Sequence, residues 1–168
     1  MASIRGLSDF TLRKATVADL PALGRLGASL VEAHHAFDRE RFIMPRGGDL
    51  SGGYAAFLAG ELEREGVVIL VAELDGAVMG YVYAGIEPHS WKELRDVAGF
   101  IHDVTVEEPA RGRGIATALL DAASRALEER GAPRVMLWSA ERNSAAQRLF
   151  ERLGFRRTMV EMTREARR

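Results

Sequence analysis

Apolar residues recur along this chain with two spacings, every second position or every third and fourth, and the switches between them predict its elements. Phe10 to Ala15 alternates and predicts a first strand. Thr16 and Asp19 then offer a helix-capping pattern, and Leu20, Leu23, Leu26, Leu30 and Val31 form the stripe of a helix running into His34-His35-Ala36-Phe37-Asp38. A glycine-rich break from Pro45 to Gly53 precedes a second helix over Tyr54 to Glu65. Val67 to Leu74 and Ala77 to Ile86 read as a hairpin turning at Asp75-Gly76. After a connector, Pro88 to Arg95, which carries Trp91, come a strand from Phe100 to Val106, a glycine loop, and a helix burying Ile115, Leu119, Leu120, Ala123, Ala126 and Leu127. Gly131 and Pro133 end that helix, Arg134 to Trp138 predicts a strand, and Asn143-Ser144 opens a helix with Ala146, Leu149, Phe150 and Leu153 on one face. Phe155 to Met162 reads as a closing strand, and Arg164 to Arg168 as a frayed tail. The order β-α-α-β-β-β-α-β-α-β places antiparallel strands first and then a right-handed crossover with a parallel pair.

Composition narrows the chemistry. The 168 residues suit one domain with its own core. A formal net charge of −1 gives no reason to expect nucleic acid or an anionic membrane as a partner. The chain has no cysteine, which excludes disulfides, thiolate metal sites and a cysteine nucleophile. Met1 to Phe10 lacks the apolar core of a signal peptide and no run is long enough to span a bilayer, so the expected location is the cytoplasm.

The most informative stretch is Arg111 to Ala116, R-G-R-G-I-A, set between the Phe100–Val106 strand and a helix start. Consecutive N–H groups at a helix start form an anion site, glycine lets a ligand approach the backbone, and arginines add forked donors. The loop therefore suits a polyphosphate. It is not the dinucleotide fingerprint, since Thr117 stands where the third glycine belongs, and no G-K-[ST] triplet follows. It does resemble the [QR]-x-x-G-x-[GA] signature of the GNAT superfamily of acyl-CoA-dependent N-acyltransferases, with Arg111, Gly114 and Ala116 in its fixed positions. Further along, Asn143, Ala146, Leu149, Gly154 and Phe155 match that superfamily's N-x-x-A-x-x-L-[FY]-x-x-x-G-F helix.

The resemblance implies an α/β/α fold of three layers, with a mixed sheet that is mostly antiparallel and whose parallel pair splays apart at a cofactor cleft. It implies acetyl-CoA as cofactor. Backbone groups of Val104, Thr105 and Val106 would hold the pantetheine arm, and Arg111, Gly112, Arg113, Gly114, Ile115, Ala116 and Thr117 the diphosphate, with Asn143, Ala146 and Phe150 beside the cofactor. Asn143 has two compatible roles, pantetheine contact and helix cap. The implied reaction is direct acetyl transfer to an amine in a ternary complex. His102 resembles the superfamily's proton relay, with Asp103 beside it; a hydrogen-bonded core histidine next to a structural aspartate is the competing reading. Strict alternation puts His102 with Phe100, Val104 and Val106 and Asp103 on the opposite face, an arrangement that a β-bulge would shift. Where many members carry a tyrosine that protonates the thiolate, this chain has Phe150; Tyr83 is the substitute, with Tyr54 and Tyr81 as alternatives.

The expected acceptor is a small-molecule or protein amine, met by His34, His35, Asp38, Trp91, Asp103 and Glu161. Carboxylates and an aromatic ring would favour a cation. His34 and Asp38 lack a third partner for a metal, so none is expected. A non-catalytic acyl-CoA sensor is the alternative function, and an exposed sheet edge is compatible with a homodimer.

Overall fold

The structure, a computed structural model, describes residues 9–166. Five strands form one sheet in the order β1 (Thr11–Lys14), β2 (Val67–Leu74), β3 (Ala77–Glu87), β4 (Ala98–Val106) and β5 (Val135–Leu137). The first three pairings are antiparallel and β4–β5 is parallel. Helices α1 (Leu20–Phe37) and α2 (Leu50–Leu62) precede β2, α3 (Ile115–Glu129) connects β4 to β5, and α4 (Ser144–Arg152) follows.

Two apolar layers sandwich the sheet. On one side Ile115, Leu119, Leu120, Ala123 and Leu127 of α3 pack on Val82, Ala84, Ile101 and Val106, with Phe150 of α4 joining them. The spacing of those α3 residues puts them on one helical stripe, which is why the segment is a helix and why it lies on the sheet. On the other side Leu23, Leu26 and Leu58 of α1 and α2 cover Ile69, Val71, Tyr81 and Tyr83. These two helices approach unusually closely. A methyl group at Gly27 would stand 2.0 Å from Cδ1 of Tyr54, so glycine is what lets that ring lie against α1.

The order of elements agrees with the sequence reading except at the end. Residues 155–166 form no strand, although Phe155 to Met162 has strand-like composition. Strands exist only as pairs, and within the described residues β5 pairs with β4 alone while Met159, Val160 and Met162 face solvent. The second helix also begins earlier than expected, at Leu50 inside the glycine-rich break, with Asp49 at its N-cap. Positions 167 and 168 of the expected frayed tail lie outside the described residues.

Candidate functional site

Register along β4 creates the site. Its pairing with β3 runs Tyr83↔Asp103 and then Ala84↔Ile101, so His102 is an extra residue without a partner. This bulge resets the alternation. Ile101, Val104 and Val106 pack toward α3. Asp103 faces α1 and α2, where it accepts hydrogen bonds from Tyr54 and Tyr81, and His102 stacks between Tyr83 and Phe100 on the same side. The strict-alternation grouping of His102 with Val104 and Val106 is thereby corrected: the bulge separates them and sets His102 and Asp103 side by side.

On its other edge β4 pairs with β5 only through Gly99↔Val135, Phe100↔Met136 and Ile101↔Leu137. Beyond that point the two strands separate. A cavity of about 320 Å³ opens there, with Ile101, His102, Asp103 and Val104 on one wall and Leu137, Trp138 and Ser139 on the other. Asn143, Ala146 and Phe150 of the α4 region line it too, as do His34 and Tyr54.

At the head of α3, Gly112 and Gly114 have φ of 77° and 81°. Side chains rarely adopt that conformation, and a methyl on either glycine would meet open space rather than protein. The turn thus presents bare backbone outward, and the first N–H groups of α3 have no intrahelical acceptor. Asn143 caps α4, its side chain accepting from the Ala146 N–H at 3.2 Å. Arg111 turns back, its Nε donating to the Val106 carbonyl at 3.0 Å, so that carbonyl is already engaged.

Electrostatics single out Asp103. Burial pushes its carboxyl above the usual aspartate range, opposed by hydroxyl donors from Tyr54 at 2.5 Å and Tyr81 at 2.9 Å. Both hydroxyls donate to the same oxygen, Oδ2. Burial also raises Tyr54 and Tyr81, which therefore stay protonated and act as donors. Tyr83, expected as a general acid, does not line the cavity; its hydroxyl donates to Glu61 Oε2 at 2.6 Å, and burial followed by that bond pushes it up. His102 Nε2 donates to Glu87 at 3.0 Å, which fixes a tautomer with the proton on that nitrogen. Ring Nδ1 of His34 donates to the Leu30 carbonyl at 2.8 Å, which leaves its Nε2 as the acceptor.

The remaining acceptor candidates are not gathered here. His35 bonds the Phe42 carbonyl, and the Asp38 carboxylate caps the turn through the N–H groups of Glu40 and Arg41. Glu161 pairs with Arg41. Trp91 is 85% exposed and lines a separate pocket with His89 and Leu94. Among the described residues no group of three or more ligand-type side chains could hold a metal.

The acetyltransferase (GNAT) family profile matches residues 30–155, a span that takes in the splayed strands, the glycine turn and α4. The chain belongs to this family. An uncharacterized N-acetyltransferase of Methanocaldococcus jannaschii is 30% identical over 149 residues, 89% of this chain and 62% of that protein. A mycothiol acetyltransferase of Thermomonospora curvata is 34% identical over 94 residues, 56% of this chain and 29% of that one. This GNAT chain therefore spans less than two thirds of either relative. An aminoglycoside N-acetyltransferase solved with coenzyme A has the same fold, with a TM-score of 0.75 at 20% identity over 99% of both chains.

Within this GNAT fold the sequence reading passed over Phe42, Ile43 and Trp138, all of which line the cavity. The sequence reads Trp138 as the last residue of a strand, but the strand ends at Leu137, which leaves the ring beyond the sheet pairing and at the cavity wall. Phe42 and Ile43 sit in a loop without periodicity.

Proposed function

We propose that this chain is an acetyl-CoA-dependent N-acetyltransferase that moves an acetyl group to the primary amine of a small cationic metabolite or a protein. One observation carries the reading: β4 and β5 part after Ile101 and Leu137, and the same strand β4 leads to a turn whose positive-φ glycines present bare amides. Family membership and the named relatives support it.

The residues fit the cofactor. Backbone of Val104 and Thr105, on the β4 edge that β5 has left, would pair with the pantetheine amides as an added strand does. Arg111 to Thr117 would hold the diphosphate through backbone N–H groups and the Arg113 side chain. Asn143, Ala146 and Phe150 would flank the pantetheine. When bound, the thioester supplies the activated acetyl group.

The chain's own groups handle the proton. An aliphatic amine has a pKa of about 10.4, so at pH 7 its neutral form costs roughly 4–5 kcal/mol unless the site removes the proton. Asp103, its carboxylate stabilised by the two tyrosine hydroxyls, would pair with the ammonium, and His102 beside it would relay the released proton to solvent, leaving the neutral amine to attack. The thiolate needs no tyrosine at position 150, because a thiol pKa of about 8.5 lets it leave near neutrality.

The test is free-thiol release with a panel of amines, run with titration of coenzyme A into the protein. Thiol release that depends on amine confirms transfer. Saturable coenzyme A binding with no release from any amine supports the second reading, a non-catalytic acyl-CoA sensor. Phe150 and the engagement of the Tyr83 hydroxyl by Glu61 are the observations that favour it.

A further inference from the structure

The apolar part of the cavity lining includes Leu30 and Val31 of α1, Phe42 and Ile43 of the connector after it, and Trp138. Among the residues lining the cavity, Asp103 is the one carboxylate, and no lysine or arginine lines it. Asp103 spends Oδ2 on two tyrosine hydroxyls, and among the described residues no donor reaches Oδ1. His34 spends Nδ1 on the Leu30 carbonyl, and no partner among the described residues reaches Nε2. Two open acceptors therefore belong to residues that line a largely apolar chamber.

Charges just outside the chamber do not add a second cation seat. Glu87 is bound to His102, and Glu161 is bound to Arg41. The Arg41 guanidinium lies 5.1 Å from the centre of the Phe42 ring and is paired with Glu161, and the nearby Asp38 carboxylate caps the turn through the Glu40 and Arg41 N–H groups. A second ammonium at the apolar end would meet solvent beside the exposed Ile43 and Trp138 and no further carboxylate of the cavity lining.

We infer that the acceptor carries one positive charge on an apolar body, with its ammonium seated between Asp103 Oδ1 and His34 Nε2, and that polycations are poor substrates. This deepens the acetyl-transfer reading and rests on it. A free alkyl- or arylalkylamine and the amino terminus of a peptide beginning with an apolar residue share this chemistry.

The experiment compares kcat/KM, by free-thiol detection, for 2-phenylethylamine, 1,6-diaminohexane, spermidine and a short peptide beginning with phenylalanine. The expected result is at least a tenfold preference for 2-phenylethylamine or the peptide over both polycations, and whichever of the two leads identifies the source of the amine. Equal or greater kcat/KM for diaminohexane or spermidine overturns the inference while leaving acetyl transfer intact. If no amine releases thiol, the acetyl-transfer reading fails, and titration of 2-phenylethylamine and spermidine into the protein saturated with coenzyme A still ranks the two; tighter spermidine binding overturns the seat. A second variant probes the apolar end. Ile43 is 75% exposed, so Ile43→Glu leaves the fold intact while adding a carboxylate there. Its diaminohexane kcat/KM is expected to rise severalfold relative to that of 2-phenylethylamine, and an unchanged ratio counts against the seat.

Discussion

Toward α3, the sheet presents Ile101, Val104 and Val106 to an apolar helix stripe centred on Leu119 and Leu120. Toward α1 and α2, the same strands present Tyr81, Tyr83 and Asp103, held by hydrogen bonds with Tyr54 and Glu61. The first face has area as its currency: its contribution is apolar surface removed from water, and it holds the glycine turn in place. The second face places polar atoms at fixed positions in a partly dry setting, which costs desolvation and yields reactivity. In the proposed transferase, stability and chemistry are thus divided between two sides of one sheet. Substitutions can separate them.

The largest expected effect is on the apolar side. Leu119 is fully buried, and Leu119→Ala is expected to lower unfolding free energy by about 3 kcal/mol in urea titration while the folded fraction keeps its amine KM. Asp103→Asn should do the reverse. It keeps an acceptor for the two tyrosines and removes a carboxylate held at a desolvation cost, so stability holds or rises while kcat/KM falls about 100-fold. A loss of stability comparable to that of Leu119→Ala would break the division.

A smaller effect tests whether every buried carboxylate on the α1 side serves chemistry. Asp19 is held to about 2, below the ordinary 3.8, chiefly by its hydrogen bonds from Arg13 and further by the Thr16 backbone and side chain, against burial. Because its folded pKa is depressed, its contribution is complete above about pH 4 and disappears as pH falls through about 2. Asp19→Asn is expected to cost about 2 kcal/mol at neutral pH and to flatten the stability curve in that acid window, with kcat unchanged. The smallest effect belongs to Tyr83→Phe. Losing its bond to Glu61 should cost about 1 kcal/mol, and turnover should change less than twofold, since the hydroxyl lies outside the cavity. A large fall in kcat would restore Tyr83 as the acid.

The same division explains what could be read from the chain beforehand. The periodicity of Ile115 to Leu127 predicts both the helix and its buried stripe because apolar packing is a repeating, local signal. The glycine turn was readable because its residue types are tied to one backbone geometry. On the other side the deciding contacts join residues far apart in sequence, Tyr54 with Asp103 and Tyr83 with Glu61, and no local pattern announces them. His34 lines the cavity, whereas Trp91, Asp38 and Glu161, similar in kind, have partners or solvent elsewhere. The closing strand failed for a related reason: strand composition at Phe155 to Met162 speaks of preference, and pairing requires a neighbour.

The unpaired residue in β4 carries one last consequence. Without His102 the chain would read Ile101-Asp103-Val104, an unbroken up-down sequence with Asp103 still turned toward Tyr54. The surplus residue follows Ile101, the last β4 residue paired with the parallel neighbour, and a bulge bends the strand that carries it. The opening between β4 and β5 is therefore expected to depend on how many residues the strand contains. Replacing the imidazole would change what the wall offers and leave the gap ajar, whereas excising the whole residue would let the two strands zip onward and shut it.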